Sequence, residues 1–226
     1  MLSIYIGYDP RESVAFHTLA HSILRRSSVP ISIAPVVQSQ LKGIYRRPRG
    51  PTEATEFSLT RFLVPALSAY RGWSIFMDCD MLCRTDIAGL AAEIERQPDK
   101  AVLVCKHDYT PRTERKFLDQ VQTRYTRKNW SSLMLFNNER CRSLTADYVN
   151  TATGLELHRF AWIDERSIGE LALEWNWLVG EYDYNPGARI VHFTIGGPYF
   201  SAYRDCDYAA EWFAERDSMQ HVAGAT

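Results

Sequence analysis

The segment Trp73-Ser74-Ile75-Phe76-Met77 runs without a break into Asp78-Cys79-Asp80. Its continuous apolar character predicts a buried strand in a parallel sheet that is covered on both faces. In an extended chain, residues two apart point the same way, so Asp78 and Asp80 face one site while Cys79 turns away. Two adjacent carboxylates at a buried strand end repel each other and lose hydration, and a hard divalent cation relieves both costs. The alternative is that one aspartate caps the next element and the other is solvated.

Strand-like and helix-like segments alternate on both sides of this block. Apolar periodicity predicts helices at residues 12–25, 58–70, 87–97, 145–153, 165–173 and 208–216. Further strands are predicted at residues 2–7, 31–35, 101–105, 132–136 and 189–193. Because of Pro65, the helix at 58–70 must either kink or begin later. The alternation indicates a single α/β domain over residues 1–226, with a mostly parallel central sheet and helices on both faces.

Four polar or glycine-containing segments follow predicted strands. They are Gly7-Tyr8-Asp9, Asp78-Cys79-Asp80, Lys106-His107-Asp108 and Gly196-Gly197. In sheets of this kind, ligands bind beyond the carboxyl ends of the strands. We therefore expect these segments to gather at one edge of the sheet and to form the binding site.

The composition is that of an ordinary globular protein, with 46% hydrophobic and 23% charged residues among 226. A net charge of -1 provides no global field for nucleic acid, so no nucleic-acid partner is expected. Two local basic clusters are either solvated loop charge or a surface for a phosphate, a lipid-linked acceptor or an anionic membrane. The first contains Arg46, Arg47 and Arg49, and the second contains Arg112, Arg115 and Lys116.

The cysteines and the apolar runs bear on the cellular compartment. The five cysteines are odd in number and irregularly spaced, which is not a disulfide framework and suits a reducing compartment. No secretory signal and no apolar run long enough to span a bilayer is recognisable. We therefore expect a cytoplasmic protein, with peripheral contact to the inner face of a membrane left open.

The surroundings of the paired aspartates resemble a known group of enzymes. The segment from Thr55 to Pro65, followed after a short gap by Ile75 to Leu82, resembles the core of retaining glycosyltransferase family eight. That family pairs a Ser/Tyr-x-x-x-Arg-hydrophobic-x-x-Pro helix with a hydrophobic strand and Asp-x-Asp. The segment from Ile190 to Thr194, before Gly196-Gly197-Pro198, is similar to the family's late histidine segment. Two further segments, 131–137 and 162–165, are similar to its internal strand and its Asp-Gln-Asp segment.

The resemblance implies a GT-A fold and the transfer of a hexose to the hydroxyl of a saccharide or glycolipid acceptor, with retention of configuration. The donor is expected to be a nucleotide-diphosphate sugar, with UDP favoured, in polysaccharide or lipopolysaccharide biosynthesis. Asp78, Asp80 and His192 are then the metal ligands, and imidazole beside two carboxylates suits Mn²⁺ better than Mg²⁺. Catalytic roles fall to Arg61, at the donor, and to Asp164, near the transferred sugar. The other expected contacts to the nucleotide sugar are Gly7, Tyr8, Asp9, Cys79, Gly196 and Gly197.

The sequence departs from the family at several positions. Gly197-Pro198 stands where the family has a Lys-Pro dipeptide whose lysine holds the diphosphate. The phosphate charge must then be met by Arg61, Lys106 or Arg204, or by backbone N–H groups of the glycine turn. The Asp-Gln-Asp segment has become Asp164-Glu165-Arg166. Outside this context, a lone histidine such as His192 is more often a hydrogen-bonded core residue than a ligand.

Other interpretations stay open. A hydrophobic strand ending in Asp-x-Asp also begins the aspartate-nucleophile phosphatases, but there the motif lies near the chain start and a Thr or Val stands in place of Leu82. A sugar nucleotidyltransferase would carry a glycine-rich, basic opening loop that this sequence lacks. A nucleotide-sugar-binding relative without catalysis is a third alternative. The segment Trp175-Asn176-Trp177 either orients an acceptor sugar or packs a helix against the sheet.

Overall fold

The computed structural model describes residues 1–50, 53–113, 115–121 and 126–220. Its strands are β1 (Leu2–Tyr8), β2 (Ile31–Val37), β3 (Trp73–Met77), β4 (Met81–Cys83), β5 (Val102–Cys105), β6 (Arg115–Lys116), β7 (Gln120–Val121), β8 (Leu133–Asn137), β9 (Ile168–Leu171), β10 (Trp177–Leu178) and β11 (Ile190–His192). Its helices are α1 (Ser13–Arg26), α2 (Val64–Leu67), α3 (Gly89–Arg96), α4 (Ala146–Thr151), α5 (Gly154–His158) and α6 (Ala209–Gln220).

The central sheet has the strand order β2-β1-β3-β8-β5-β9. All its neighbouring strands are parallel except at β8, which runs antiparallel to both β3 and β5. Nearly every residue of β3, β5 and β8 is buried, so both faces of the sheet centre are covered. The predicted α/β architecture with a mostly parallel sheet is confirmed. The reversed direction of β8 places Leu133 beside Met77, which brings the loop before β8 to the end of β3.

Two predicted helices differ from the observed elements. Residues 165–173, predicted to be helical, form a 3₁₀ turn at Glu165–Ser167 followed by β9. The edge strand packs closely on β5, since a Cβ atom at Gly169 would lie 2.3 Å from the Leu103 side chain. In region 58–70, a 3₁₀ turn at Thr60–Leu63 leads into the short helix α2. Pro65 lies in the first turn of α2, where its missing N–H costs little, so the later start is correct.

A second, small sheet positions one of the predicted ligands. Its strand order is β10-β11-β4, with β10 parallel and β4 antiparallel to β11. The sequence did not predict β4 or β10, which are only three and two residues long. Because β4 continues from the Asp78-Cys79-Asp80 segment and pairs with β11, it draws the end of β11 toward the paired aspartates.

The first basic cluster is tied to α4. Arg46 pairs with Asp147 at 2.9 Å. Arg47 donates from Nη1 to the carbonyl oxygens of Val149 and Ala152, at 3.0 and 2.6 Å. These contacts hold the loop after β2 against the end of α4, so the cluster is more than a solvated loop.

The second basic cluster pairs with local acidic groups. Arg112 lies 3.1 Å from Asp183, and Arg115 lies 2.6 Å from Asp119. The side chain of Lys116 lies outside the described part of the chain. Within the described residues, no helix combines the length and the apolar character needed to cross a membrane. Peripheral membrane contact stays a prediction.

Gly7 is required by the packing of β1 against Phe57. A Cβ atom at Gly7 would lie 2.3 Å from the buried Phe57 ring. We expect Gly7→Ala to lower the free energy of unfolding by about 1–3 kcal/mol, because the ring must leave its position. Urea denaturation measures the change, with Gly43→Ala as the control, since nothing lies within 4 Å of a Cβ atom there. Equal effects of the two substitutions would contradict the close packing.

Candidate metal centre and donor site

Asp78, Asp80 and His192 meet at the carboxyl edge of the central sheet. Asp78 directly follows β3, and its N–H donates to the carbonyl oxygen of Ser132 at 2.9 Å. In the pairing of β4 with β11, His192 lies opposite Met81 and therefore beside Asp80. One ligand atom from each of the three side chains lies within 4.8 Å of the other two. The structure thus brings together the three residues that the resemblance implied as metal ligands.

Hydrogen bonds around Asn176 set the tautomer of His192. Ser132 Oγ donates to the carbonyl of Asn129 at 2.7 Å, so it presents a lone pair to Asn176 Nδ2 at 2.8 Å. Asn176 Nδ2 also faces the Asn129 carbonyl, at 3.4 Å. These acceptors fix the amide nitrogen on that side and turn Asn176 Oδ1 toward His192 Nδ1, at 3.0 Å. Nδ1 therefore carries a proton, and in the neutral ring the lone pair lies on Nε2.

His107 continues this network behind Asn176. Its Nε2 accepts a hydrogen bond from Asn176 Nδ2 at 3.0 Å, and its Nδ1 lies 2.9 Å from Tyr182 Oη. Burial, with a smaller effect of His192, lowers the pKa of His107 to about 3. His107 is therefore neutral near pH 7 and able to accept the hydrogen bond that the amide donates.

The three ligand atoms fit a divalent cation. His192 Nε2 lies 3.3 Å from Asp80 Oδ1 and 4.0 Å from Asp78 Oδ2. Both carboxylate oxygens converge on this nitrogen, and a cation among the three atoms would be bound by all three side chains. Asp80 Oδ1 is buried and accepts no hydrogen bond from the described residues. Two carboxylates with one imidazole suit Mn²⁺ and also admit Mg²⁺.

Arg61 is buried beside Asp78. Its Nη1 lies 2.8 Å from Asp78 Oδ1 and 2.9 Å from the carbonyl oxygen of Ser131. The guanidinium carbon lies 5.4 and 5.1 Å from the ring centres of Phe57 and Phe76. These contacts fix one oxygen of Asp78 and leave Oδ2 directed at the metal cluster. The predicted contact of Arg61 with the donor stays a prediction.

A further acidic side chain, Glu12, is buried near Asp80. Its Oε1 accepts a hydrogen bond from Tyr199 Oη at 2.6 Å. Burial, together with repulsion from Asp80, raises the pKa of Glu12 to about 8. In the metal-free protein Glu12 is therefore largely protonated near pH 7, and its hydrogen bond ties the start of α1 to the segment after β11.

Gly7 and Tyr8 end β1 at the same edge of the sheet, and Asp9 follows them. The buried carboxylate of Asp9 accepts hydrogen bonds from the backbone and side chain of Arg11 and from the N–H of Glu56, at 2.6–3.1 Å. Burial alone raises the pKa of Asp9, but these hydrogen bonds lower it overall. Because four donors already hold this carboxylate, its first role is to shape the loop after β1. The predicted contacts of these residues with the nucleotide stay predictions.

The glycine turn and Cys79 are both held in packed surroundings. Cβ atoms at Gly196 and Gly197 would lie 2.4 Å from the Tyr203 ring and 2.1 Å from the Tyr199 ring. Cys79 is fully buried, and this burial raises the pKa of its thiol well above the usual value. The Cys79 side chain therefore faces the core, and a contact of this residue with the donor would use its backbone.

Asp164 lies outside this site, which contradicts the role that the resemblance implied. It precedes β9, and β9 begins at the opposite edge of the sheet, since Ile168 pairs with Val102 at the start of β5. Its side chain is exposed and lies 3.1 Å from Arg166. The segment forms a turn and an edge strand rather than a helix that would carry Asp164 to the site. We assign Asp164 no catalytic role.

The side chains considered for the diphosphate charge occupy different places. Arg61 contacts the metal cluster. Lys106 lies over the ring of Trp130, with Nζ 5.9 Å from its centre. Arg204 lies over Phe213, with Cζ 5.1 Å from the ring centre. Of these three residues, Arg61 is therefore the one that the structure brings to the metal cluster.

Sequence reasoning named His107 and Asn176 but missed their role, which is to support the cluster from behind. Trp175 is 1% exposed and packs on Gly89, so it belongs to the core. Asn176 beside it holds His192, and His107 holds Asn176. In the sequence, Asn176 stands out as a single amide between two tryptophans. Only the pairing of β10 with β11 shows that its hydrogen-bond partner is His192.

Solved structures that are similar to this chain are glycosyltransferases. The galactosyltransferase LgtC, solved with donor and acceptor sugar analogues, is 12% identical with a TM-score of 0.62, over 99% of this chain and 98% of that one. Mouse xyloside xylosyltransferase 1 is 11% identical with a TM-score of 0.54, over 86% and 99%. The bifunctional glycosyltransferase WbbM is 12% identical with a TM-score of 0.67, and this chain spans about half of it, with coverages of 95% and 49%. The fold is that of the GT-A glycosyltransferases and resembles family eight.

The chain belongs to the family of Protein CDI from Arabidopsis thaliana. The two sequences are 46% identical, and the match covers 95% of this chain and 85% of the relative. No family model matches the chain.

Proposed function

We propose that this chain is a metal-dependent glycosyltransferase that moves a hexose from a nucleotide-diphosphate sugar, with UDP favoured, to the hydroxyl of a saccharide or glycolipid acceptor. The observation that carries the proposal is the cluster of Asp78, Asp80 and His192, in which His192 Nε2 faces the two carboxylates at the carboxyl edge of the sheet. Retention of configuration follows from the resemblance to family eight. The cytoplasmic location also stays a prediction.

Each residue of the site has a separate task in this proposal. Asp78, Asp80 and His192 would hold Mn²⁺ or Mg²⁺, which would supply Lewis-acid stabilisation of the charge on the departing diphosphate. Arg61 forms an ion pair with Asp78 and fixes the orientation of its carboxylate. Gly196 and Gly197 stay proposed contacts of the diphosphate, which the missing family lysine would otherwise hold.

The arrangement favours this function over the alternatives. A nucleophilic role for Asp78, as in a phosphatase, is disfavoured because Arg61 holds its Oδ1 at 2.8 Å. A sugar nucleotidyltransferase would prefer a nucleoside triphosphate and would release pyrophosphate. A relative without catalysis would bind the donor and release no UDP. Binding and turnover measurements therefore distinguish both alternatives from the proposed glycosyltransferase.

Thermal-shift measurements test the proposed donor. Binding to the folded state alone raises the melting temperature. We expect a shift with UDP that requires Mn²⁺ and exceeds the shifts with GDP and CDP. A larger shift with UTP, accompanied by pyrophosphate release, would favour the nucleotidyltransferase. The absence of a shift with every nucleotide would contradict the proposed donor.

Asn176→Leu tests the support of the metal ligand. Without the acceptor for Nδ1–H, His192 loses its fixed tautomer and ring orientation. We expect Mn²⁺ affinity, measured by titration calorimetry, to fall by about 10–100-fold. Ser132→Ala is the control, since it removes a partner of the same amide but no contact of His192, and its effect should be much smaller. Equal effects of both substitutions would indicate general loss of packing instead.

A further inference from the structure

The first basic cluster borders a pocket that the proposed function does not use. The pocket has a volume of about 360 Å³ and is lined in part by Gln38, Lys42, Tyr45, Arg46, Arg47 and Glu56. This volume lies within the range of about 300–1,000 Å³ that is typical of small-molecule sites. The lining is polar and basic, so its chemistry indicates a charged ligand.

The pocket lies on the same sheet edge as the metal cluster but apart from it. Gln38 directly follows β2, and β1 separates β2 from β3. Because neighbouring strands lie about 4.8 Å apart, the pocket begins about 10 Å from the end of β3. Its wall is joined to β1 through Glu56, whose N–H donates to Asp9 Oδ2 at 3.1 Å.

The positive charges of the pocket are largely uncompensated. Within the described residues, neither Lys42 nor Arg47 forms an ion pair with a carboxylate. Both described hydrogen bonds of the Arg47 side chain use Nη1 and go to carbonyl oxygens. Arg46 pairs with Asp147, which is 85% exposed, so that pair is screened by water. Among the lining residues, Lys42 and Arg47 thus share one carboxylate, Glu56.

Tyr45 contributes to the lining of this pocket and carries a buried hydroxyl. The residue is 5% exposed, and its Oη makes no hydrogen bond with the described residues. Burial, with a smaller effect of Glu53, raises the pKa of Tyr45 to about 12, so the hydroxyl keeps its proton. A buried donor without an acceptor is costly, and an acceptor oxygen bound in the pocket would remove that cost.

We infer that this pocket binds the phosphate group of a small phosphate monoester, with Lys42 and Arg47 supplying charge and Tyr45 a hydrogen bond. Charge-assisted bonds of this kind are the strong ones in phosphate recognition. A soluble sugar phosphate and the phosphate head group of a lipid offer the same chemistry. The inference does not rest on the proposed glycosyltransferase function, because the metal cluster is a separate site.

Isothermal titration calorimetry with glycerol 3-phosphate tests the inference. We expect binding to the wild type without Mn²⁺, and at least about tenfold weaker binding to Lys42→Gln and to Arg47→Gln. Arg49→Gln is the matched control, because this neighbouring arginine does not line the pocket and bonds the carbonyls of Glu53 and Ala54. Tyr45→Phe should weaken binding without lowering the melting temperature of the free protein. Unchanged affinity in Lys42→Gln, an exposed position whose substitution leaves the fold intact, would overturn the inference.

Two further comparisons separate this site from its alternatives. Binding should persist in Asp80→Asn; if it is lost there, the phosphate occupies the metal cluster, and the inference fails while the proposed function stands. Phosphatidylcholine vesicles with and without phosphatidic acid distinguish the ligand sources. If the protein binds to vesicles that contain phosphatidic acid and glycerol 3-phosphate releases it, the lipid is the source of the phosphate. If the protein binds the soluble monoester but not the vesicles, a sugar phosphate is the source. Vesicle capture without any binding of the soluble monoester would contradict a compact site.

Discussion

Replacing Asp80 by asparagine is expected to abolish metal-dependent sugar transfer while leaving the metal-free protein at least as stable as the wild type. Asp80 Oδ1 is buried, lies 3.3 Å from His192 Nε2 and accepts no hydrogen bond from the described residues, so no hydrogen bond at this oxygen offsets its repulsion from Asp78. The substitution removes this repulsion together with a metal ligand. We expect transfer to fall by about 10³-fold, the equivalent of several kcal/mol of metal-assisted stabilisation. UDP release with Mn²⁺ and urea denaturation without metal measure the two effects.

Asp164→Asn is the matched control for this prediction. Asp164 is exposed at the opposite sheet edge, so its substitution should leave the rate of UDP release close to that of the wild type. A large loss of rate in Asp164→Asn would restore the role that the family resemblance implied. A metal-free Asp80→Asn protein that is clearly less stable than the wild type would mean that Asp80 has a structural partner.

Arg61→Met is expected to produce the largest loss of stability. The guanidinium is buried between Phe57 and Phe76 and holds Asp78 at 2.8 Å. Removing one partner of a buried pair leaves the other charge uncompensated, at a cost of about 3–5 kcal/mol. Because the Asp78 side chain is 13% exposed and so partly hydrated, we expect a loss near the lower end of that range, about 3 kcal/mol. Urea denaturation of the metal-free protein measures it.

A double-mutant cycle shows whether the loss comes from the ion pair. Asp78→Asn alone leaves the Arg61 charge buried without its partner, so it should also destabilise the fold. The double variant Arg61→Met with Asp78→Asn should be destabilised by clearly less than the sum, with a coupling free energy of about 1–3 kcal/mol. Additive effects would show that Arg61 acts through its packing on the aromatic rings rather than through Asp78.

The parts of the fold that follow from side-chain periodicity could be predicted from the sequence. The buried strand before Asp78 is uniformly apolar, and the turn residues that follow each parallel strand meet at one edge for topological reasons. The proximity of His192 to the aspartates was predicted only from the family resemblance. Its physical cause is the short strand β4, whose pairing with β11 is too brief to leave a pattern in the sequence.

The errors and omissions have equally local causes. Ile168 and Leu171 are spaced as on a helix, but both are buried in an edge strand that packs Gly169 on β5. The role of Asp164 was predicted from the family resemblance alone, and the structure places this residue at the opposite edge of the sheet. Asn176 and His107 could not be assigned because their roles arise from contacts between distant segments, 69 residues apart. Such contacts depend on tertiary pairing rather than on any local preference.

Pulsed electron paramagnetic resonance of Mn²⁺ bound to the protein together with UDP tests the central claim most directly. We predict one bound ion that shows magnetic coupling to a single imidazole nitrogen and to phosphorus. The nitrogen coupling should vanish in His192→Gln, and the bound ion itself should be lost in Asp80→Asn. Bound Mn²⁺ without nitrogen coupling, or with coupling that survives His192→Gln, would contradict the assignment of Asp78, Asp80 and His192 as the metal centre.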